Sequence, residues 1–270
     1  MDAAALYLDL LKRTLMNWPY ADWEVADLDP AGLLRPELLA ACRARGVRVV
    51  APSPADPAAR LEGRDWPATA HTMVGRARLD DLQLRVEDLL RVGVPGDLIE
   101  TGVWRGGSAI LMRGVLKAHG VEDRKVWAAD SFRGLPAPDV TNYPADRGIE
   151  LHKFSYLAVP LERVRENFAR YGLLDDQVVF LEGWFKDSLP RIPVAQRFAL
   201  ARLDGDLYES TTDALVNLEP KVSAGGWLVI DDYGVIEACR QAVHDYRDRI
   251  GIRSPVVPID HSGVCWRKEG

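Results

Sequence analysis

Four aspartates carry the clearest chemical signal in this 270-residue chain: Asp204 and Asp206, which close the run RFALARLDGD, and Asp231 and Asp232, which close GGWLVIDD. Carboxylates gathered at one spot repel one another unless a cation lies among them, and an all-oxygen, charge-rich set suits Mg2+, Ca2+ or Mn2+ rather than zinc. A hard divalent ion lowers the pKa of an oxygen acid bound to it, so the pattern points to chemistry on an oxygen-bearing substrate. Taken singly, each acid also fits a helix cap or a solvated loop, and Asp206 stands where it would cap a following helix. Two pairs at the ends of two apolar runs set these acids apart from that plainer role. Successive strand residues face opposite ways, so Asp231 and Asp232 can share an ion only if the backbone turns between them.

Both runs read as buried strands of a parallel sheet, since short apolar stretches bounded by glycine and acid fit that place. Neighbouring strands lie about 4.8 Å apart, and ligands of open α/β sheets bind at the carboxyl ends, so the two acid pairs are expected to converge. Upstream, strands at 97–101 (DLIET), 125–130 (KVWAAD) and 177–182 (QVVFLE) alternate with helices near 76–92, 108–119 and 160–171. Helices near 209–218 and 235–249 follow, and PVVPI with GVCWRK reads as an added hairpin on the sheet edge. This alternation predicts an α/β fold with a doubly wound, mostly parallel seven-stranded sheet. Residues 1–70 are expected to form an N-terminal helical cap, with helices at 3–16 and 36–45 and a stiff linker at Pro52, Pro54 and Pro57. Residues 71–270 then form the core, in which the polar, irregular stretch 133–158 is too long for an ordinary connection and reads as a lid.

A net charge of −6 argues against nucleic acid or an anionic membrane as partner, and 47% hydrophobic content supports a sizeable core. Cys42, Cys239 and Cys265 are scattered without disulfide or zinc spacing. No stretch of 18 apolar residues occurs, and the start MDAAALYLDLLKR fits no signal peptide, so a reduced cytoplasmic protein is expected. Of the five histidines, His71 and His261 are the candidates for the site.

The turn Glu100-Thr101-Gly102-Val103-Trp104-Arg105-Gly106-Gly107-Ser108 follows one strand and opens a helix. Glycines there let a ligand approach the backbone, and the helix start offers free N–H groups. It is not the GxGxxG pattern of dinucleotide enzymes, because the next glycine falls at the wrong offset. Asp130, ending the following strand, stands where an acidic side chain takes a ribose diol. An acid before the glycines and an acid after the next strand resemble class I S-adenosylmethionine-dependent methyltransferases. That resemblance implies that the turn through Ser108 cradles the methionine half of the cofactor, with Glu182, Gly183 and Trp184 beside its adenine.

The segments LYLDLLKRTL, AHTMVGRARLDDL, GDLIETGVWRGGSAILMR, WAADSFRGLP, LEGWFKDSLP, LARLDGDLYESTTDAL and GGWLVIDDYG together resemble the macrocin O-methyltransferase family, from about residue 6 to 270. Its members methylate hydroxyls of deoxysugars on macrolide and aminocoumarin antibiotics. The resemblance implies S-adenosylmethionine and Mg2+ as cofactors, a small-molecule glycoside as acceptor, and a homodimer as the assembly to test. Carried over, Asp204, Asp231 and Asp232 are metal ligands and Asp206 is the catalytic general base. Thr72, Met73, the residues Glu100 through Trp104, and Asp130, Ser131, Phe132, Arg133 and Gly134 contact S-adenosylmethionine. The expected reaction is Mg2+-dependent methyl transfer to a deoxysugar hydroxyl of a glycosylated natural product. A catechol-like phenol is the alternative acceptor. A metal-dependent glycosyltransferase, which also uses a DxD motif, is the more distant alternative, disfavoured by the glycine turn and Asp130.

Overall fold

The computed structural model describes residues 2–27, 36–47, 49–52 and 55–270. Helix α1 (Ala3–Leu15) starts behind Asp2, whose carboxylate accepts the Ala5 N–H at 2.8 Å. Its Leu8, Leu11 and Leu15 fall on one face and are buried. Strands β1 (Val25–Asp27) and β2 (Val50–Pro52) pair antiparallel, with α2 (Pro36–Ala44) between them in sequence. Helix α3 (Pro57–Glu62) begins behind Asp56, which accepts the Ala58 and Ala59 N–H groups. The expected linker is therefore partly regular: Pro52 ends a strand and Pro57 opens a helix, while Pro54 lies outside the described residues.

The alternating region runs α4 (Arg76–Val92), β3 (Asp97–Thr101), α5 (Gly107–Ala118), β4 (Val126–Asp130), α6 (Leu161–Arg170) and β5 (Val178–Glu182). It continues through the single-turn α7 (Phe185–Ser188), β6 (Phe198–Leu203), α8 (Tyr208–Leu218), β7 (Val222–Ile230) and α9 (Glu237–Ile250) to β8 (Val257–Pro258) and β9 (Val264–Arg267). The seven strands lie in the order β5-β4-β3-β6-β7-β9-β8, with β9 antiparallel to β7 and to β8 and the other pairs parallel. The α/β sheet and its edge hairpin are those expected from the sequence. The order turns back between β3 and β6, the switch point at which such sheets bind ligands. One core cluster joins Leu8, Leu79, Val86, Ile110 and Leu200; a second joins Leu203, Leu215, Leu228 and Val243. Every residue of β6 is buried, as a strand covered on both faces requires. Helix α1 packs against α5 and its leucines belong to the first cluster, so the N-terminal helix completes a layer over the sheet.

The stretch 133–158 holds one-turn 3-10 helices at Pro144–Asp146, Leu151–Lys153 and Ser155–Leu157. Its Tyr156 packs against the turn after β3 and the segment at Trp66 and Pro67. Trp104 Nε1 donates to the Tyr156 carbonyl at 3.1 Å, the Tyr156 hydroxyl donates to the Pro67 carbonyl, and Trp66 stacks on the Tyr156 ring at 5.5 Å and 17°. No helix among the described residues is long and apolar enough to cross a membrane.

Candidate active site

Strand register brings the acids together. Glu100 of β3, Arg202 of β6 and Val229 of β7 lie side by side, with Thr101, Leu203 and Ile230 one step beyond. The chain leaves the sheet at matching points, where Asp204 N donates to Thr101 O and Asp231 N to Leu203 O, each at 2.9 Å. Oxygens of Asp204, Asp206 and Asp232 all lie within 4.8 Å of one another. Asp206 reaches this position through a left-handed backbone, φ 55°, a conformation that Asp tolerates better than most residues. Asp231 turns the other way: Arg202 Nη2 donates to its Oδ1, and Arg78 Nη1 to its Oδ2 at 2.7 Å. Of the expected ligand set, Asp204 and Asp232 thus converge with Asp206, and Asp231 stands behind them holding two arginines.

Charge divides the site in two. Arg202 is buried and donates to Glu100 at 2.6 Å and Asp204 at 3.0 Å as well as to Asp231. Burial opposes its charge, and the fields of Asp231, Asp204 and Glu100 overcome that and hold it firmly cationic. Burial also pushes Asp231 upward, but Arg202 and Arg78 reverse the effect and keep its carboxyl below the usual range. The converging acids behave oppositely. Burial, followed by the field of Asp231, pushes Asp204 up to about 6; burial with Asp204 and Asp231 pushes Asp206 up to about 8. Asp232 is raised well above the ordinary value by burial and by the other three acids. Its buried Oδ2 has no hydrogen-bond partner. Three acids short of counter-charge, with an orphaned oxygen among them, fit a hard divalent cation.

Arg202 is consequently a structural keystone of the acid cluster. Arg202→Met is expected to strand Glu100, 2% exposed, without its counter-ion and to leave Asp231, 5% exposed, with Arg78 alone, at about 3–5 kcal/mol of stability. Urea unfolding reads this as a lowered midpoint at unchanged slope. A loss below about 1 kcal/mol contradicts it, because breaking a buried pair costs more than that.

Two cavities meet at these acids. Gly102, Trp104, Asp130, Ser131, Gly134 and Trp184 line the first, together with Leu135, Pro136 and Leu157 of the stretch 133–158 and Phe185 and Lys186 of α7. The second, of about 490 Å³, is lined by Trp66, His71, Thr72, Arg78, Glu100, Val103, Ser108, Asp231, Asp232 and His261. Met73, Gly102, Trp104, Leu157, Asp204 and Asp206 face both and form the wall between them. Gly102 has φ +80°, and a Cβ there would lie 1.9 Å from the Asp204 carbonyl oxygen, so only glycine lets the β3 turn pass the end of β6.

The expected cofactor residues therefore separate. Met73, Gly102, Trp104, Asp130, Ser131, Gly134 and Trp184 line the first cavity; Thr72, Glu100, Val103 and Ser108 face the second. Thr101 and Phe132 are buried beneath the turns. Arg133, Glu182 and Gly183 line an outer groove that shares Ser131 and Trp184 with the first cavity, and Arg133 and Glu182 pair at 3.5 Å on the surface. Asp130 organises the glycine turn as well as lining the cavity: Oδ2 accepts the Val103 N–H and Oδ1 the Phe132 N–H, both at 2.7 Å. His71 Nδ1 lies 2.7 Å from the Tyr171 hydroxyl. Burial, aided by Arg105, lowers His71 to about 4, which leaves it neutral near pH 7. The sequence did not single out Arg78, Arg202 or the cavity residues Leu135, Pro136, Leu151 and Leu157. For Arg202 the signal was present, a lone cation inside an apolar strand.

The family described as Macrocin-O-methyltransferase (TylF) matches residues 4–268. A relative from Streptomyces olivaceus, named 8-demethyl-8-(2,3-dimethoxy-alpha-L-rhamnosyl)-tetracenomycin-C 4'-O-methyltransferase, is 56% identical over 267 residues, 98% of this chain and 94% of that protein. Mycinamicin III 3''-O-methyltransferase of Micromonospora griseorubida is 48% identical over 267 residues, 97% of this chain and 96% of that protein. The solved structure of the O-methyltransferase NovP superposes with a TM-score of 0.85 at 47% identity, covering 99% of this chain and 100% of that one.

Proposed function

This chain belongs to the macrocin O-methyltransferase family, whose members are S-adenosylmethionine-dependent enzymes, and from that premise we propose that it methylates a sugar hydroxyl of a glycosylated natural product with the help of Mg2+. The observation that carries this reading is the wall shared by the two cavities, where Asp204 and Asp206 face both. A methyl donor in the first cavity and a glycoside in the second meet across that wall. Two relatives named for O-methylation of a rhamnosyl tetracenomycin and of mycinamicin III support the acceptor class.

In this reading Gly102, Trp104, Asp130, Ser131 and Trp184 hold the cofactor, and Asp204, Asp231 and Asp232 hold the metal. Each Asp231 oxygen keeps a second lone pair beside its arginine contact, so Arg78 and Arg202 orient that ligand. S-adenosylmethionine held there would supply a sulfonium methyl group, with S-adenosylhomocysteine as the leaving group, and Mg2+ held by the acids would supply positive charge that acidifies the acceptor hydroxyl. Asp206 accepts the acceptor's hydroxyl proton at a carboxylate oxygen and returns it to solvent after the ether forms. Met73, Trp104 and Leu157 exclude water between the cavities. The convergence of Asp204, Asp206 and Asp232 favours a second assignment within the same reaction. There Asp206 is the third ligand and Asp231 serves as anchor for the arginines.

The acceptor class is tested by methyl transfer from S-adenosylmethionine to a panel of glycosides with vicinal diols and a panel of catechols. Transfer to the glycosides is expected. Turnover of catechols alone overturns the sugar assignment.

A further inference from the structure

We propose that Asp146, carried by the lid, is a positioning residue for Asp206, so that lid closure and placement of the proton acceptor are one event. The inference rests on Asp206 being that acceptor.

Asp146 is completely buried. Its Oδ1 accepts the Tyr208 N–H at 2.5 Å and its Oδ2 the Glu209 N–H at 3.2 Å, across a separation of 62 and 63 residues. These amides open α8, and a helix start needs acceptors for its first N–H groups, ordinarily from a Ser, Thr, Asp or Asn at the cap position. Here Leu207 occupies that position and offers no side-chain acceptor. The lid supplies the cap instead, and its negative charge also suits the positive end of the helix. Tyr143, from the same segment, adds a ring contact to Tyr208 at 6.0 Å.

Asp206 is two residues before the capped amide. It sits in a tight turn, with φ 55° and Leu207 N bonded to Gly205 O at 2.5 Å. The turn hangs between the end of β6 and the first turn of α8, so fixing the Tyr208 and Glu209 amides fixes where the Asp206 carboxylate points. The residues flanking Asp146 in sequence, Leu135, Pro136, Leu151 and Leu157, line the two cavities. A lid that lifts to admit ligands thus withdraws the cap from α8, and its closure restores it.

The test compares Asp146→Ala, Asp146→Asn, Asp206→Asn and the double variant Asp146→Ala/Asp206→Asn in the full chain, with folding followed by circular dichroism. Asp146→Ala should stay folded and lose about 10²-fold in kcat, the scale of a misplaced reacting group. Its acceptor KM and S-adenosylhomocysteine affinity should move by no more than about fivefold, because the defect lies in the chemical step. Asp146→Asn keeps one acceptor oxygen for the Tyr208 amide and should recover most of the rate. The double variant should be no slower than Asp206→Asn alone, since both changes act through one group. Wild-type kcat in Asp146→Ala overturns the proposal. So does a rate loss matched by loss of folded protein, or a double variant slowed by the product of the two single effects. If Asp206→Asn is slow and Asp146→Ala is not, the inference alone fails. If Asp206→Asn is as active as the wild type, the reading of Asp206 fails and the inference with it.

Discussion

Asp206→Asn is expected to lower kcat by about 10²–10⁴-fold, the usual worth of general-base catalysis, with cofactor and metal affinities close to the wild type. Asn keeps the size of the side chain and tolerates the left-handed backbone at φ 55°, so the substitution removes the proton acceptor without straining the turn. The pH dependence has a definite sign. Burial and the fields of Asp204 and Asp231 push Asp206 up to about 8, so its proton-accepting form gains as the pH rises. A divalent ion alongside lowers that value. The wild-type kcat/KM is therefore expected to rise toward alkaline pH with a midpoint at or below about 8, and the variant to lose that limb. Raising Mg2+ separates the two assignments of Asp206. A base variant stays slow at every Mg2+ concentration, whereas a ligand variant regains rate as the ion is forced into the site.

The residues that announced themselves in the sequence are those whose position follows from a local pattern. Asp204 and Asp231 end apolar runs, and the pleated register of β3, β6 and β7 carries them to neighbouring points without any further information. Direction was another matter. Both Asp231 oxygens are held by Arg78 and Arg202, which are 153 and 29 residues distant, and no spacing rule connects residues so far apart. Asp130 was placed at its strand end from sequence, but its bond to Val103, 27 residues away, depends on how the glycine turn folds back. Glu182 ends β5 as expected, yet β5 is an edge strand with an exposed final residue, so its side chain faces the outer groove. The stretch 133–158 stood out by length and polarity. Its 3-10 turns have no apolar period, so nothing local marked Leu135, Pro136 or Leu157 as cavity residues or Asp146 as a helix cap.

The measurement that bears hardest on the account is methyl transfer by enzyme stripped of divalent ions. A sugar hydroxyl holds its proton tightly, and neither Asp206 nor any other group facing both cavities is basic enough to remove it unaided. A bound metal shifts water from a pKa of 15.7 to about 7 in the best cases, which shows the size of effect available. The acids offered to the ion, short of counter-charge and with Asp232 Oδ2 unpartnered, are otherwise a costly arrangement. Asp130 and Trp184 line the first cavity and belong neither to the converging acids nor to the second cavity, so the cofactor is expected to bind without the ion. Chelation is therefore expected to abolish methylation of a vicinal-diol glycoside, added Mg2+ to restore it, and S-adenosylhomocysteine binding to persist throughout. Full turnover by the metal-free enzyme would contradict the account.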